Sequence, residues 1–258
     1  MPTAAGFHYL LHEGGSRLNP PLVLIHGAGG DHLFWPPEMR RLHGYRVFTP
    51  DLPGHGKTAG PGRQSIQDYA RDVVEFIDVV GLSRAVFFGH GMGGAIALAL
   101  ALDSPDRVAG IGLISSGPSL PIPSLIIENA ANLSTLPLAI KDLHEMSLGS
   151  QTPASLKGML FKRLAETRQT LLMNDLVASS RFDVTDRLNA IRTPVLVICG
   201  MDDKLTPLRF SKTLSSRIPG AALQTVQGAG HMLALEQPGR LGKLTSVFLA
   251  IVPYVPGE

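Results

Sequence analysis

The chain predicts an α/β protein built on a mostly parallel sheet. Three observations lead there. Short apolar runs of β-branched and aromatic residues alternate with longer segments of helical periodicity. Several of those runs end in Gly-rich turns, at His26-Gly27, Gly89 to Gly94, Gly200 and Gly228 to Gly230. One long stretch, from about 118 to 181, breaks the alternation with helical patterns and no strand.

Taken in order, Leu22 to Ile25 is the first predicted strand and runs into His26-Gly27. Arg46 to Pro50 is the second, ending at Asp51. Ser65 to Val80 reads as an amphipathic helix, because Ile66, Tyr69, Val73, Phe76, Ile77 and Val80 fall on one face. Ala85 to Phe88 is a strand, and Gly93 to Leu102, almost wholly small or apolar, is a helix packed on a sheet. Val108 to Ile114, Pro194 to Cys199 and Ala221 to Val226 complete the strands, and Leu241 to Val252 is a closing helix. Helical stretches at Ser124 to Leu133, Ala139 to Met146 and Ala154 to Leu176 fill the long insertion. Connections in α/β units are normally short, so this segment is expected to be a helical cap. The expected organisation is a core of residues 1–117 and 182–258 with a cap of residues 118–181.

Composition narrows the function. The chain has 258 residues and a formal net charge of +2, with 44% hydrophobic and 17% charged residues. That suits a globular enzyme with a sizeable core and argues against disorder. No Lys/Arg cluster calls for nucleic acid. No apolar run reaches the roughly 18–20 residues of a membrane helix, and Met1 to Glu13 carries no signal-peptide pattern, so a cytoplasmic protein is expected. The single cysteine, Cys199, sits in an apolar strand and reads as a buried structural thiol. The nine histidines are scattered and form no metal-ligand pair on a predicted helix, so neither metal nor cofactor is implied.

The chemistry concentrates at strand ends. His26-Gly27-Ala28-Gly29-Gly30 is a turn whose small residues let N–H groups approach a ligand oxygen, with Ala28 the candidate donor. Asp51 to Gly56 reads as a structural loop shaping the pocket wall, despite the pairing of Asp51 and His55. Phe88-Gly89-His90-Gly91-Met92-Gly93-Gly94 joins a strand to a helix in the layout of a nucleophile elbow, Gly-x-Ser-x-Gly, but carries Gly91 at the serine position. The spacing fits neither a dinucleotide fingerprint nor a P-loop. The N–H of Met92 would be a second oxyanion donor. Finally, Asp202 and Asp203 follow one strand and His231 follows the next, so an acid and an imidazole can meet at the carboxyl edge of the sheet.

Together these residues resemble the α/β-hydrolase superfamily over nearly the whole chain, in the order nucleophile, acid, base. The resemblance implies the α/β-hydrolase fold with an inserted helical cap. It implies Asp203 as the acid, with Asp202 as the alternative, His231 as the general base, and an esterase- or lactonase-like hydrolase as the activity. The departure is Gly91. Three accounts of it stand open: an inactivating replacement of serine in an ordinary carboxylesterase-like enzyme, a natural non-catalytic relative that binds a small molecule, and an enzyme in which His231 activates water directly. The retention of Asp203, His231 and the Gly-rich oxyanion turn favours the first. Ser115 and Ser116, at the end of a neighbouring strand and before a Gly-Pro turn, could face the pocket as substitute nucleophiles but read as turn formers. Gly29, Trp35, Leu205 and Met232, with the apolar insertion, point to an uncharged ester, lactone or thioester as the small-molecule partner. No cluster of arginines that would clamp a carboxylate or phosphate is evident, and Arg40, Arg41 and Arg181 stay open as single candidates.

Overall fold

In the computed structural model, which describes residues 3–4 and 6–255, eight strands form one sheet: β1 (Thr3–Ala4), β2 (Phe7–His12), β3 (Leu22–Ile25), β4 (Val47–Pro50), β5 (Ala85–His90), β6 (Val108–Ile114), β7 (Val195–Gly200) and β8 (Ala222–Val226). Their order is β1-β2-β4-β3-β5-β6-β7-β8. The pairings β1·β2 and β2·β4 are antiparallel, and every pairing from β4 through β8 is parallel. The edge hairpin β1–β2 was not anticipated. Phe7-His8-Tyr9-Leu10-Leu11-His12 lacks the unbroken β-branched run of the central strands.

The sheet separates two apolar layers by simple alternation of side chains. Val23, Ile25, Ala85 and Phe87 face a layer that holds the apolar sides of α2 (Ile66–Val79) and α3 (Met92–Asp103). Leu22, Leu24, Val86 and Phe88 face the other, with Met39 from the short helix α1 (Pro37–Arg40) and Leu241 and Phe248 from α10 (Pro238–Leu249). Helix α2 starts where the Ser65 side chain accepts a hydrogen bond from the Asp68 N–H as its N-cap. Helix α3 is buried along its first ten residues, which explains why it has no polar face. The second strand and the closing helix start later and earlier, respectively, than the sequence suggests, at Val47 and Pro238.

Between β6 and β7 the chain forms α4 (Ser124–Ala131), α5 (Leu136–Ser147), α6 (Ala154–Ala165) and α7 (Gln169–Ser180). The stretch read as one helix from Ala154 is two, broken at Glu166-Thr167-Arg168. These helices share their own apolar cluster around Ile126, Ile140, Leu172 and Leu176. Beyond β7 follow α8 (Leu208–Arg217), which the sequence reading omitted, and the single turn α9 (Leu233–Glu236). Among the described residues, no helix is long and apolar enough to cross a membrane.

Candidate active site

The end of β5 sets the geometry. Gly91 has φ 52° and ψ −112°, a backbone conformation that L side chains rarely adopt. The turn is held open on both sides: the Gly91 N–H donates to the Ile114 carbonyl at 3.0 Å, and the Ser116 hydroxyl donates to the Gly91 carbonyl at 2.9 Å. Gly93 is needed for a different reason. A Cβ there would run into the backbone carbonyls of Ile25 and His26, so only glycine lets α3 approach the end of β3.

A Cβ at Gly91 would lie 3.1 Å from His231 Nε2. The far side of that imidazole is fixed. His231 Nδ1 is 3.0 Å from Asp203 Oδ2, and Asp203 also accepts the N–H groups of Leu205 and Thr206 on Oδ1 and the Thr206 hydroxyl on Oδ2. Burial would raise the Asp203 pKa. The neighbouring His231 and the Thr206 donors outweigh it and hold the carboxyl down at about 2, so it is ionised at neutral pH. Its negative charge selects the Nδ1–H tautomer and leaves Nε2 as an acceptor toward Gly91. Asp202 points elsewhere and accepts the Ser150 N–H at the surface.

The N–H groups of Ala28 and Met92 take no hydrogen-bond partner among the described residues, and both residues line the same cavity as Gly91 and His231. Met92 opens α3, so its N–H lies at the positive end of that helix. The cavity is small, about 100 Å³, and its wall is mostly apolar, with Leu143, Leu164, Leu172 and Leu176 from the insertion and Leu205 and Met232 from the core. A larger cavity of about 430 Å³ lies beside it, and the two share Ala28, His90, Leu164 and Met232 in their walls. Gly29 lines this outer space.

Some expected positions fall elsewhere. Trp35 is fully buried in the core, edge-on to Phe34, and lines neither cavity. Its bulk fills the layer beneath α10 rather than the pocket. Arg40, Arg41 and Arg181 line neither cavity, whereas Arg163 and Arg168 line the outer one. Ser115 and Ser116 also stay out of both walls; Ser115 adopts φ 46° and its buried hydroxyl has no partner. Cys199 is buried, and burial pushes its thiol pKa up, as a structural thiol requires.

The structure also assembles histidine clusters that spacing did not reveal. His90 is buried against Phe34 and donates from Nε2 to the His231 carbonyl at 2.8 Å. Burial, and then the nearby His231, lower its pKa to about 3, so it is neutral. His8 and His32 both reach Asp51, and this trio is a group that could hold a metal ion. Asp51 Oδ1, however, already accepts the His32 N–H with His32 Nδ1 at 2.8 Å, and Oδ2 accepts the Lys57 N–H with His8 Nδ1 at 2.9 Å and His32 Nδ1 at 3.0 Å. That donor set suits a hydrogen-bonded anchor for the loop, as expected for Asp51, and leaves no lone pair for a cation. Such long-range pairings, between residues 8, 32 and 51, have no local signature.

The sheet order, the strained turn after β5 and the acid and imidazole at the next strand ends define an α/β hydrolase. The chain matches the alpha/beta hydrolase family over residues 22–243 and belongs to it. Among its relatives, the protein named "Putative carbamate hydrolase RutD" of Caulobacter sp. (strain K31) is 30% identical over 268 residues, covering 96% of this chain and 97% of that one. Among solved structures, a thermophilic esterase is 25% identical and superposes with a TM-score of 0.82, covering 95% of this chain and 98% of that one. An enzyme that degrades N-acyl homoserine lactones is 26% identical with a TM-score of 0.80, covering 94% and 96%.

Proposed function

We propose that the chain carries the site of a serine-type hydrolase of uncharged esters, lactones or thioesters in which the nucleophile position is Gly91. The observation that carries this reading is the 3.1 Å between a Cβ at Gly91 and His231 Nε2, with Asp203 behind the ring. A serine hydroxyl at that place would reach the bare nitrogen of the imidazole. In the reaction so read, the hydroxyl attacks the carbonyl carbon while His231 takes its proton, and the proton later passes to the leaving alcohol or thiol. Asp203 stabilises the imidazolium, and the Ala28 and Met92 N–H groups receive the developing oxyanion. Residues 118–181 act as the cap over the apolar acyl pocket. The likeness to a protein named as a carbamate hydrolase and to a lactone-degrading enzyme supports an acyl carbonyl as the target.

By this reading the chain with Gly91 is close to inert, because no hydroxyl reaches His231. The test is hydrolysis of p-nitrophenyl esters and a lactone panel by the chain and by Gly91→Ser; a folded Ser variant without activity on either panel overturns the proposal. The space that Gly91 leaves beside His231 Nε2 favours one second reading, in which His231 activates water. There, any turnover of the Gly91 chain is abolished by His231→Ala, and turnover that survives the substitution removes it.

A further inference from the structure

Gly29 follows the candidate oxyanion donor Ala28, and both polar groups of its backbone are held by the helical insertion. Its N–H donates to Asp175 Oδ2 of α7 at 2.8 Å, and its carbonyl accepts from the Thr167 hydroxyl, in the turn before α7, at 3.3 Å. Asp175 is fully buried and does more than this. Its Oδ2 also accepts from His55 Nε2 at 2.7 Å, and its Oδ1 accepts from the Tyr69 hydroxyl at 2.7 Å.

His55, equally buried, has an acceptor at each ring nitrogen. Nε2 faces the Asp175 carboxylate, and Nδ1 faces the Pro53 carbonyl at 3.1 Å. A neutral imidazole has one N–H and cannot satisfy both, so the geometry calls for the imidazolium. Its neighbour His26 shows the opposite pattern. There Nδ1 donates to the Gly27 carbonyl at 2.8 Å and Nε2 accepts the Leu52 N–H at 3.1 Å, which fixes a neutral ring 4.7 Å away. Burial, and then the charge on His55, lower the His26 pKa to about 4. Burial works against a charge on His55 as well, but the Asp175 carboxylate and the backbone carbonyls beside it raise the His55 pKa above its ordinary value.

We propose that the insertion sets the oxyanion loop, with Asp175 as its positioning residue and protonated His55 as the counter-ion that keeps Asp175 in place. The proposal rests on the hydrolase reading for the role of Ala28, but the linkage itself does not. The groups that face His55 are Asp175 from α7, Tyr69 from α2 with ring centroids 6.1 Å apart, and His26 after β3. Arg168 secures the same corner by donating to the Gly54 carbonyl at 2.6 Å and the Gly60 carbonyl at 3.0 Å. Because His55 is held charged above its ordinary pKa, the link is complete below about pH 6.5 and is lost as pH rises through the elevated folded value. A deprotonated Nδ1 would face the Pro53 carbonyl lone pair to lone pair, and the loop must then shift.

The experiment has two arms. In the chain as it stands, nitrogen NMR of the imidazoles should show both His55 nitrogens protonated at pH 7. Exchange of the Gly29 N–H should quicken in Asp175→Asn and in Thr167→Val. In the Gly91→Ser background, Asp175→Asn should lower kcat by about 10- to 100-fold with KM little changed, as a misaligned loop would, and should remove the alkaline fall in kcat. Thr167→Val, which leaves the buried pair intact, should give a smaller loss in the same direction. A His55 that titrates at or below its ordinary value overturns the proposal, and so does an Asp175→Asn variant that loses Tm but keeps kcat and its pH profile. If Gly91→Ser proves inert, the hydrolase reading fails, and the NMR arm alone decides the linkage.

Discussion

Replacing Gly91 by serine sets a gain of function against a loss of stability, and both can be sized. Removing the nucleophile from a catalytic triad costs on the order of 10⁶-fold in kcat, so under the proposed reading a serine at position 91 should add a similar factor, about 8 kcal/mol of transition-state stabilisation. The backbone opposes the change. At φ 52° and ψ −112° a side chain is strained, at a cost of about 1–3 kcal/mol. The new Cβ would also press on His231 Nε2 from 3.1 Å, so the imidazole must withdraw by a few tenths of an ångström. For a chain of this size each kcal/mol is worth about 2–4 °C, and Tm should fall by about 2–12 °C. Release of p-nitrophenolate from short acyl esters and a thermal melt measure the two effects on one preparation. A Ser variant that melts higher than the parent, or that is folded and inert, refutes the reasoning from the elbow geometry.

Other consequences can be measured in the same way. In the Gly91→Ser background, Asp203→Asn should cost about 10⁴-fold in kcat through loss of the correct His231 tautomer, while KM changes little. The Asp203 carboxyl is held at about 2 in the folded chain. Its contribution to stability is therefore complete above its ordinary pKa and is lost as pH falls toward 2, and Asp203→Asn should remove about 2 kcal/mol from the neutral-to-acid difference in an unfolding titration. Gly93→Ala should fail to give soluble folded protein, judged by circular dichroism, because the new methyl meets the Ile25 carbonyl. Leu172→Ala should enlarge the inner cavity of about 100 Å³ and move kcat/KM of the Ser variant toward longer acyl chains, at a stability cost of about 2–5 kcal/mol. Unchanged chain-length preference would remove Leu172 from the acyl pocket.

The parts of this protein that local chemistry controls were legible in its sequence. The buried parallel strands announced themselves through unbroken apolar runs, and α2 through its one-sided periodicity. Gly91 and Gly93 were readable because a strained turn and a close helix–strand approach leave few residues to choose from. What spacing could not show were partners distant in the chain. Asp175 meets His55 across 120 positions, and nothing around a lone acid in a helix marks it as buried. The β1–β2 hairpin was missed because His8, which is buried by reaching Asp51, looks polar in isolation. Trp35 was misplaced for the converse reason: an aromatic beside a Gly-rich loop fits a pocket wall and a core layer equally well until the packing is known.

One backbone oxygen links the helical segment between β6 and β7 to the turn that carries His231. The Ser147 carbonyl, at the end of α5, accepts both the His231 N–H at 2.9 Å and the Met232 N–H at 3.3 Å. Glu236 secures the same junction, taking the Gly149 N–H at 2.8 Å and the Gly230 N–H at 2.6 Å. Substrate range in a scaffold like this would be re-engineered most simply by transplanting the segment between β6 and β7. Here the graft boundary cannot be drawn at the ends of that segment, because the donor must bring an oxygen to the place of the Ser147 carbonyl and an N–H to that of Gly149. A chimera that ignores those two atoms would exchange the pocket wall and at the same time set the imidazole adrift.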